Sequence, residues 1–377
     1  MPQPLFVFCA DLHLADGAWA SRPGIYGDSY YSLQQIVEYC IANNLPLVIG
    51  GDVLDVKRNS PRPVQKLCQA MADMSTAKLP VYYIQGQHEL DRNVTWMSVQ
   101  PWPQNVNKRQ FEVAGVKLYG IDWLPRGDIQ AAFEEAPADT DMLVCHQVWK
   151  DLMKNIGRPE CCLNDVHHVA HVLSGDFHVT KIERSANAQG APIQIISPGS
   201  TCMQDISESP EKYFFVVEKD DVGAFVFTPV QLRTRAMRGY TVTDAQVLDD
   251  LCAGGFEADI AEMLDATLPA EINKPLIRVK FDKHIPDAFL RISTAVGDAA
   301  HLFCDAIVDK TRGQEETNRA VTKNDLTTAI NDLLGDIPGA FNLATALLSA
   351  EVPSSEIEKQ FELFTSSQEP NDAIAEA

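Results

Sequence analysis

Short apolar runs alternate along the chain with polar stretches, and each run has the length of a buried strand rather than of a membrane span. Those at 5–9, 47–49, 81–84, 116–121, 142–145, 171–173, 193–196 and 213–217 are rich in Val, Ile, Leu and Phe and predict β-strands. Between the first two, Leu33, Ile36, Val37, Cys40 and Ile41 recur at helical spacing, which predicts one buried face of a crossover helix. Strands alternating with helical segments predict an α/β domain.

The polar residues with chemistry come directly after these runs: Asp11 and His13, Asp52 and Asp55, Gln87 to Glu89, His146, then Asp176 and His178. Loops at the carboxyl ends of strands are where sites assemble in α/β sheets, so five separate loops are expected to converge on one rim. Beyond residue 230 the pattern changes. A helix over 243–252, a strand over 276–281, a helix over 286–295 and a strand over 302–308 predict a small α/β module at 231–310. A polar stretch at 309–322 then leads to short helices at 324–334, 341–348 and 356–364, followed by a tail at 368–377 expected to be disordered.

Composition narrows the class. The chain has 377 residues, 45% of them hydrophobic and 22% charged, as folded proteins do, and it is long enough for two or three domains. No stretch is apolar enough to span a bilayer, and the opening Met1-Pro2-Gln3-Pro4 carries neither a basic leader nor a cleavage signal, so a cytoplasmic protein is expected, in the host cytoplasm if phage-encoded. Nine scattered cysteines without C-x-x-C spacing predict neither a disulfide framework nor a zinc ribbon. A net charge of −21 excludes nucleic-acid binding through the overall field; a DNA substrate would have to be held by metals, local basic clusters or a partner.

The polar set itself points to hydrolysis at phosphorus. Two divalent ions about 3.5–4 Å apart can activate a water and clamp phosphoryl oxygens, and they need a bridging carboxylate among His, Asp and amide oxygens. The chain offers such a set in order: Asp11-Leu12-His13, Gly51-Asp52-Val53-Leu54-Asp55, Gly86-Gln87-His88-Glu89, His146, and Gly175-Asp176-Phe177-His178.

These five blocks resemble the calcineurin-like metallophosphoesterases, whose pattern is D-x-H, G-D-x-x-D, G-N-H-D/E, a lone H and G-H-x-H. The resemblance covers roughly residues 5–200 and implies a β-sandwich flanked by helices over 1–230. It also implies that Asp11, His13 and His178 hold a first metal, that Gln87, His146 and Asp176 hold a second, and that Asp52 bridges. His88, assisted by Asp55, would contact the phosphate and protonate the leaving oxygen, with Glu89 orienting the ligands. Two positions depart from the pattern. Gln87 replaces Asn and Asp176 replaces the first His of the last block, which makes the second site richer in oxygen and favours Mn²⁺ or Mg²⁺ over Zn²⁺. His167, His168 and His171 fall outside the pattern and are read as structural or surface residues.

A finer resemblance follows the last block. Ile196-Ser197-Pro198-Gly199-Ser200-Thr201, then Ser207-Glu208-Ser209-Pro210-Glu211-Lys212-Tyr213, is similar to a segment of the SbcD and meiotic recombination nucleases and their phage counterparts, and Arg233-Thr234-Arg235 resembles the start of their capping domain. This implies a DNA nuclease of recombination and repair, a DNA-facing cap at 231–310, a homodimer, and a partner, an SMC-like coiled-coil ATPase of the SbcC type. The C-terminal segment 311–377 would grip that ATPase through the apolar stripes Leu326, Ile330 and Leu333, then Phe341 and Leu347, then Ile357 and Phe361. Two alternatives stay open. A protein serine/threonine phosphatase shares the metal blocks but has Arg-Gly after G-D-x-x-D, where this chain has Val56-Lys57; a non-catalytic scaffold would fit if Gln87 and Asp176 mark a decayed site.

Overall fold

The apolar runs form strands because Val, Ile, Leu and Phe pack well on pleated surfaces, and the central strands are apolar on both faces because both are covered. A computed structural model describes residues 2–16, 24–57, 59–90, 103–153 and 158–305. Fifteen strands are found among them: β1 (Gln3–Cys9), β2 (Leu47–Gly50), β3 (Val81–Ile84), β4 (Gln104–Asn105), β5 (Arg109–Val113), β6 (Val116–Ile121), β7 (Met142–His146), β8 (His171–Gly175), β9 (Lys181–Ala186), β10 (Pro192–Ser197), β11 (Lys212–Lys219), β12 (Phe225–Leu232), β13 (Met237–Val242), β14 (Leu276–Phe281) and β15 (His301–Cys304).

Two six-stranded sheets have the orders β12-β11-β1-β2-β3-β4 and β5-β6-β7-β8-β10-β9. In each the central strands run parallel, β1 to β2 to β3 and β6 to β7 to β8; β11 and β12 return antiparallel on one side of the first sheet and β5 and β9 at the edges of the second, while edge strand β4 continues parallel to β3. Alternate residues of one strand serve different layers. Phe6 and Phe8 of β1 join Val48, Val144, Leu173 and Phe215 in a core between the sheets. Val7 and Cys9 face the other way, against Leu33 and Ile36 of α1 (Asp28–Asn43) and Leu67 and Met71 of α2 (Pro61–Thr76). On the far side, Leu143 and Cys145 of β7 pack with Ile129 and Phe133 of α3 (Asp128–Glu134) and with Trp149. The result is a four-layer α/β/β/α arrangement, the expected sandwich flanked by helices.

A third sheet, β13-β14-β15, is wholly parallel and has its own core of Val242, Phe256, Ile260, Ile277, Val279 and Ile292. The helix expected over 243–252 is Ala245–Asp250, followed by a kinked turn at Leu251–Gly255, where Gly254 takes φ 139°, and by a second helix, Phe256–Met263. The strand expected over 302–308 is described only as β15, and its last residues lie outside the described set. Arg235, fully buried, fastens this sheet to α1: its guanidinium donates twice to Asp28 at 2.9 Å and to the carbonyls of Lys274, Glu271 and Tyr26. From β14, Arg278 pairs with Asp305 and donates to the Ile206 carbonyl.

The chain divides into two units, Met1–Ala306 and Ile307–Ala377. The second, with Leu326, Ile330, Leu333, Phe341, Leu347, Ile357 and Phe361, lies outside the described residues. Among the described residues no helix is long and apolar enough to cross a membrane.

Candidate metal centre

Parallel β1, β2 and β3 bring three carboxyl-terminal loops to one rim, and parallel β7 and β8 bring two more from the other sheet. The first two loops are tied together by the backbone: Asp11 N–H donates to Gly51 O at 3.1 Å and His13 N–H to Asp52 O at 2.9 Å. Four candidate ligands hold left-handed backbone angles, Asp11 (φ 52°), His13 (φ 44°), Asp52 (φ 49°) and Asp176 (φ 77°). Side chains rarely adopt this conformation, at a cost of about 1–3 kcal/mol each, and its clustering marks a functional site. The rims approach so closely that a Cβ on Gly86 would stand 2.0 Å from Asp52 Oδ1, so only glycine leaves room for that carboxylate.

Three overlapping groups of donor atoms form here, each within 4.8 Å: Asp11, His13 and His178; His13, Asp52 and His88; and Asp11, Asp52 and His146. Asp11, His13 and Asp52 are each common to two of them, and Asp52 reaches His146 Nε2 at 3.2 Å, His13 Nε2 at 3.8 Å and His88 Nε2 at 3.9 Å. The second-site residues also meet. Gln87 donates its amide to Asp176 Oδ1 at 2.8 Å, and Asp176 N–H donates to the Asp11 carboxylate at 3.0 Å. Asp176 joins none of the three donor groups; its carboxylate holds Gln87 instead. Glu89 accepts from Val53 N–H at 3.1 Å, which steadies the loop after Asp52.

The imidazoles share one orientation. His13 Nδ1 faces Asp55 Oδ1 at 3.0 Å, His146 Nδ1 faces Gly50 O at 2.6 Å, His88 Nδ1 faces Asp55 O and His178 Nδ1 faces Glu208 Oε1 at 2.9 Å. A carbonyl or carboxylate can only accept, so each Nδ1 carries a proton and Nε2 is the ring atom directed into the site. His13 Nε2 and His178 Nε2 accordingly stand 3.2 Å apart. Two converging lone pairs need a cation or proton between them. Gln87 Oε1 is buried without a hydrogen-bond partner, and Asp52 Oδ2 and His146 Nε2, equally buried, face only each other at 3.2 Å without a well-formed hydrogen bond. Buried polar atoms are otherwise almost always satisfied, so the donor set fits a pair of divalent ions.

The electrostatics agree. Burial pushes the Asp11 carboxyl up. Burial acts on Asp52 in the same sense, but the surrounding His146, His13 and His88 rings outweigh it and hold that carboxyl at about 2. Burial pushes His146 down, yet the Asp52, Asp11 and Asp176 carboxylates hold it well above the ordinary imidazole value. Burial, reinforced by Asp52, pushes Glu89 up to about 8. So much buried negative charge wants a counter-cation.

His167, His168 and His171 turn elsewhere, to Gln189, to the Ala136 carbonyl and to Gln194. Sequence reasoning assigned no role to Gly86, whose need for a missing Cβ is visible only once Asp52 is seen against it. Among known proteins, no curated relative matches the chain. The model of the calcineurin-like phosphoesterase family matches residues 4–180, a span that begins in β1 and ends just after His178. The matched span takes in the two rims that bear the donor set, and over residues 4–180 the chain matches a calcineurin-like phosphoesterase domain.

Proposed function

We propose that this chain is a two-metal phosphodiesterase acting on DNA, the nuclease subunit of an assembly with an SMC-like ATPase. The hydrolytic part rests on one observation: four Nε2 atoms and the carboxylates of Asp11 and Asp52 converge from two sheets, with Asp52 shared between donor groups. In this reading Asp11, His13 and His178 would hold one ion and Gln87, His146 and Asp176 the other, with the Asp52 carboxylate available to both. Bound ions would acidify a water and neutralise charge on the phosphoryl oxygens. His88, with its Nδ1 held by the Asp55 carbonyl, presents Nε2 on a side chain 39% exposed, where it can touch a phosphate and protonate the leaving oxygen. Asp55 also accepts a hydrogen bond from His13 Nδ1–H and so keeps that ring's Nε2 inward.

The choice of DNA is supported by the resemblance of 196–213 to recombination nucleases and by the separate sheet of residues 237–304, which fits a cap over a polymeric substrate. Residues 311–377 would dock the ATPase, which supplies the DNA affinity that a charge of −21 denies this subunit. The deciding experiment compares duplex DNA with a phosphoserine peptide as substrates, in Mn²⁺ and in Mg²⁺, with and without the ATPase. Mn²⁺-dependent DNA degradation, stimulated by ATP, is expected. Peptide turnover without DNA degradation would make the chain a phosphatase.

A further inference from the structure

A second cluster of charged side chains lies behind the metal centre, outside the matched residues 4–180. The chain turns back after β10 through the loop before β11, and this loop places Glu208 against His178. Glu208 Oε1 stands 2.9 Å from His178 Nδ1. Its other oxygen accepts from Lys212 Nζ at 2.6 Å, from Ser200 Oγ at 3.1 Å and from Gln204 N–H at 3.2 Å. Lys212, only 2% exposed, also donates to Ser200 Oγ at 2.7 Å, and Ser200 N–H returns to the His178 carbonyl at 3.3 Å. The contacts close a ring: imidazole, carboxylate, ammonium, hydroxyl, and back to the backbone of the same histidine.

We infer that Glu208 is the positioning residue of the first metal site, acting through His178, with Lys212 and Ser200 holding it in place. The inference rests on the metal reading above. An acceptor without protons at Nδ1 fixes the tautomer and the rotation of the ring, so that Nε2 keeps a lone pair directed at His13 Nε2, 3.2 Å away. A carboxylate does more than a carbonyl would, because its charge makes the imidazole a stronger donor to a cation. Such a charge is costly in a mostly buried place unless paired, and Lys212 pairs it. Three side chains within Ser200–Lys212, with the Gln204 N–H, therefore serve one ring nitrogen. Local pattern gives no hint of this, since an acid four residues before a lysine is ordinarily a surface pair.

The test is calorimetric Mn²⁺ titration of the full chain with Glu208→Gln, Glu208→Ala and Lys212→Met, beside thermal melting and ¹⁵N spectra of the histidine rings, both without metal. Glu208→Gln keeps the shape of the side chain and should weaken the first Mn²⁺ equivalent by roughly tenfold, and Glu208→Ala by roughly 10–100-fold. Lys212→Met should fall between wild type and Glu208→Ala. The wild-type ring of His178 should be protonated at Nδ1, and in Glu208→Ala that proton should shift towards Nε2. Should Glu208→Ala not fold, Glu208→Gln carries the comparison. Variants that melt earlier but bind Mn²⁺ like wild type would reduce Glu208 to a loop latch and overturn the inference. A wild-type chain that binds no Mn²⁺ would instead overturn the metal reading on which it stands.

Discussion

His88 Nε2 lies 3.9 Å from Asp52 Oδ2 and belongs to one of the three donor groups, so geometry alone would allow it to ligate an ion. Its exposure argues otherwise. His13 and His146 are buried and His178 is 30% exposed, while His88, at 39%, is the most open of the four and stands where a phosphate would arrive. His88→Ala is therefore expected to cost roughly 10²–10⁴-fold in kcat while both Mn²⁺ equivalents remain in a calorimetric titration; loss of one equivalent would make His88 a ligand. Asp176 poses the reverse question. Its backbone already serves Asp11 and its carboxylate holds Gln87, so removing the charge should reach the second ion by two routes. Asp176→Asn is the clean substitution, because Asn tolerates the φ of 77° as Asp does. It should weaken the second equivalent by about 10–100-fold and leave the first alone. A titration matching wild type at both equivalents would remove Asp176 from the site.

Among elements, the Arg235 junction is where the third sheet meets the phosphoesterase domain. A fully buried guanidinium is tolerable because its donors meet Asp28 and three carbonyls, and truncation would leave all four acceptors with their desolvation uncompensated. Arg235→Ala should destabilise the chain by about 3 kcal/mol or more in urea unfolding. An unchanged midpoint and slope would mean that water replaces the side chain at no cost. The same scale shows what sequence could convey. Strands β1, β2, β3, β7 and β8 were legible because both faces are buried and the runs are continuously apolar, and the loops after them were legible because Asp and His stand where apolar periodicity stops. Edge strand β9, Lys-Ile-Glu-Arg-Ser-Ala, has one half-exposed side and no apolar run to betray it. The helix Phe256–Met263 lies beyond the one expected over 243–252, past Gly254-Gly255, where the chain kinks and resumes its helix. The return of β11 onto β1 joins residues some two hundred positions apart, and no local pattern encodes such a pairing. The left-handed angles at four ligands were equally invisible, since strain of this kind is imposed by the surrounding fold.

For the whole molecule, every candidate ligand lies at or before His178, and each of the described cores is closed by residue 305. Deleting residues beyond 323 should thus preserve basal Mn²⁺-dependent hydrolysis and abolish ATP stimulation; an insoluble truncation without basal activity would show that those helices complete the fold. The split origin of the ligands has a thermodynamic consequence. Asp11, Asp52 and Gln87 follow strands of one sheet, His146, Asp176 and His178 strands of the other, and Phe6, Phe8 and their neighbours fill the space between. An ion held by both rims cannot remain bound once the sheets part, so binding free energy adds directly to the work of unfolding. At a free Mn²⁺ concentration 100 times Kd this linkage is worth about 2.7 kcal/mol per site, or roughly 5–10 °C in Tm for a domain of this size. Melting curves across a Mn²⁺ series should climb logarithmically with concentration, and a Tm indifferent to Mn²⁺ would mean that the ion does not bind the folded chain in preference to the unfolded one. Chelation should then act as a denaturant: starved of divalent metal, the protein would lose activity and resistance to heat and proteolysis together.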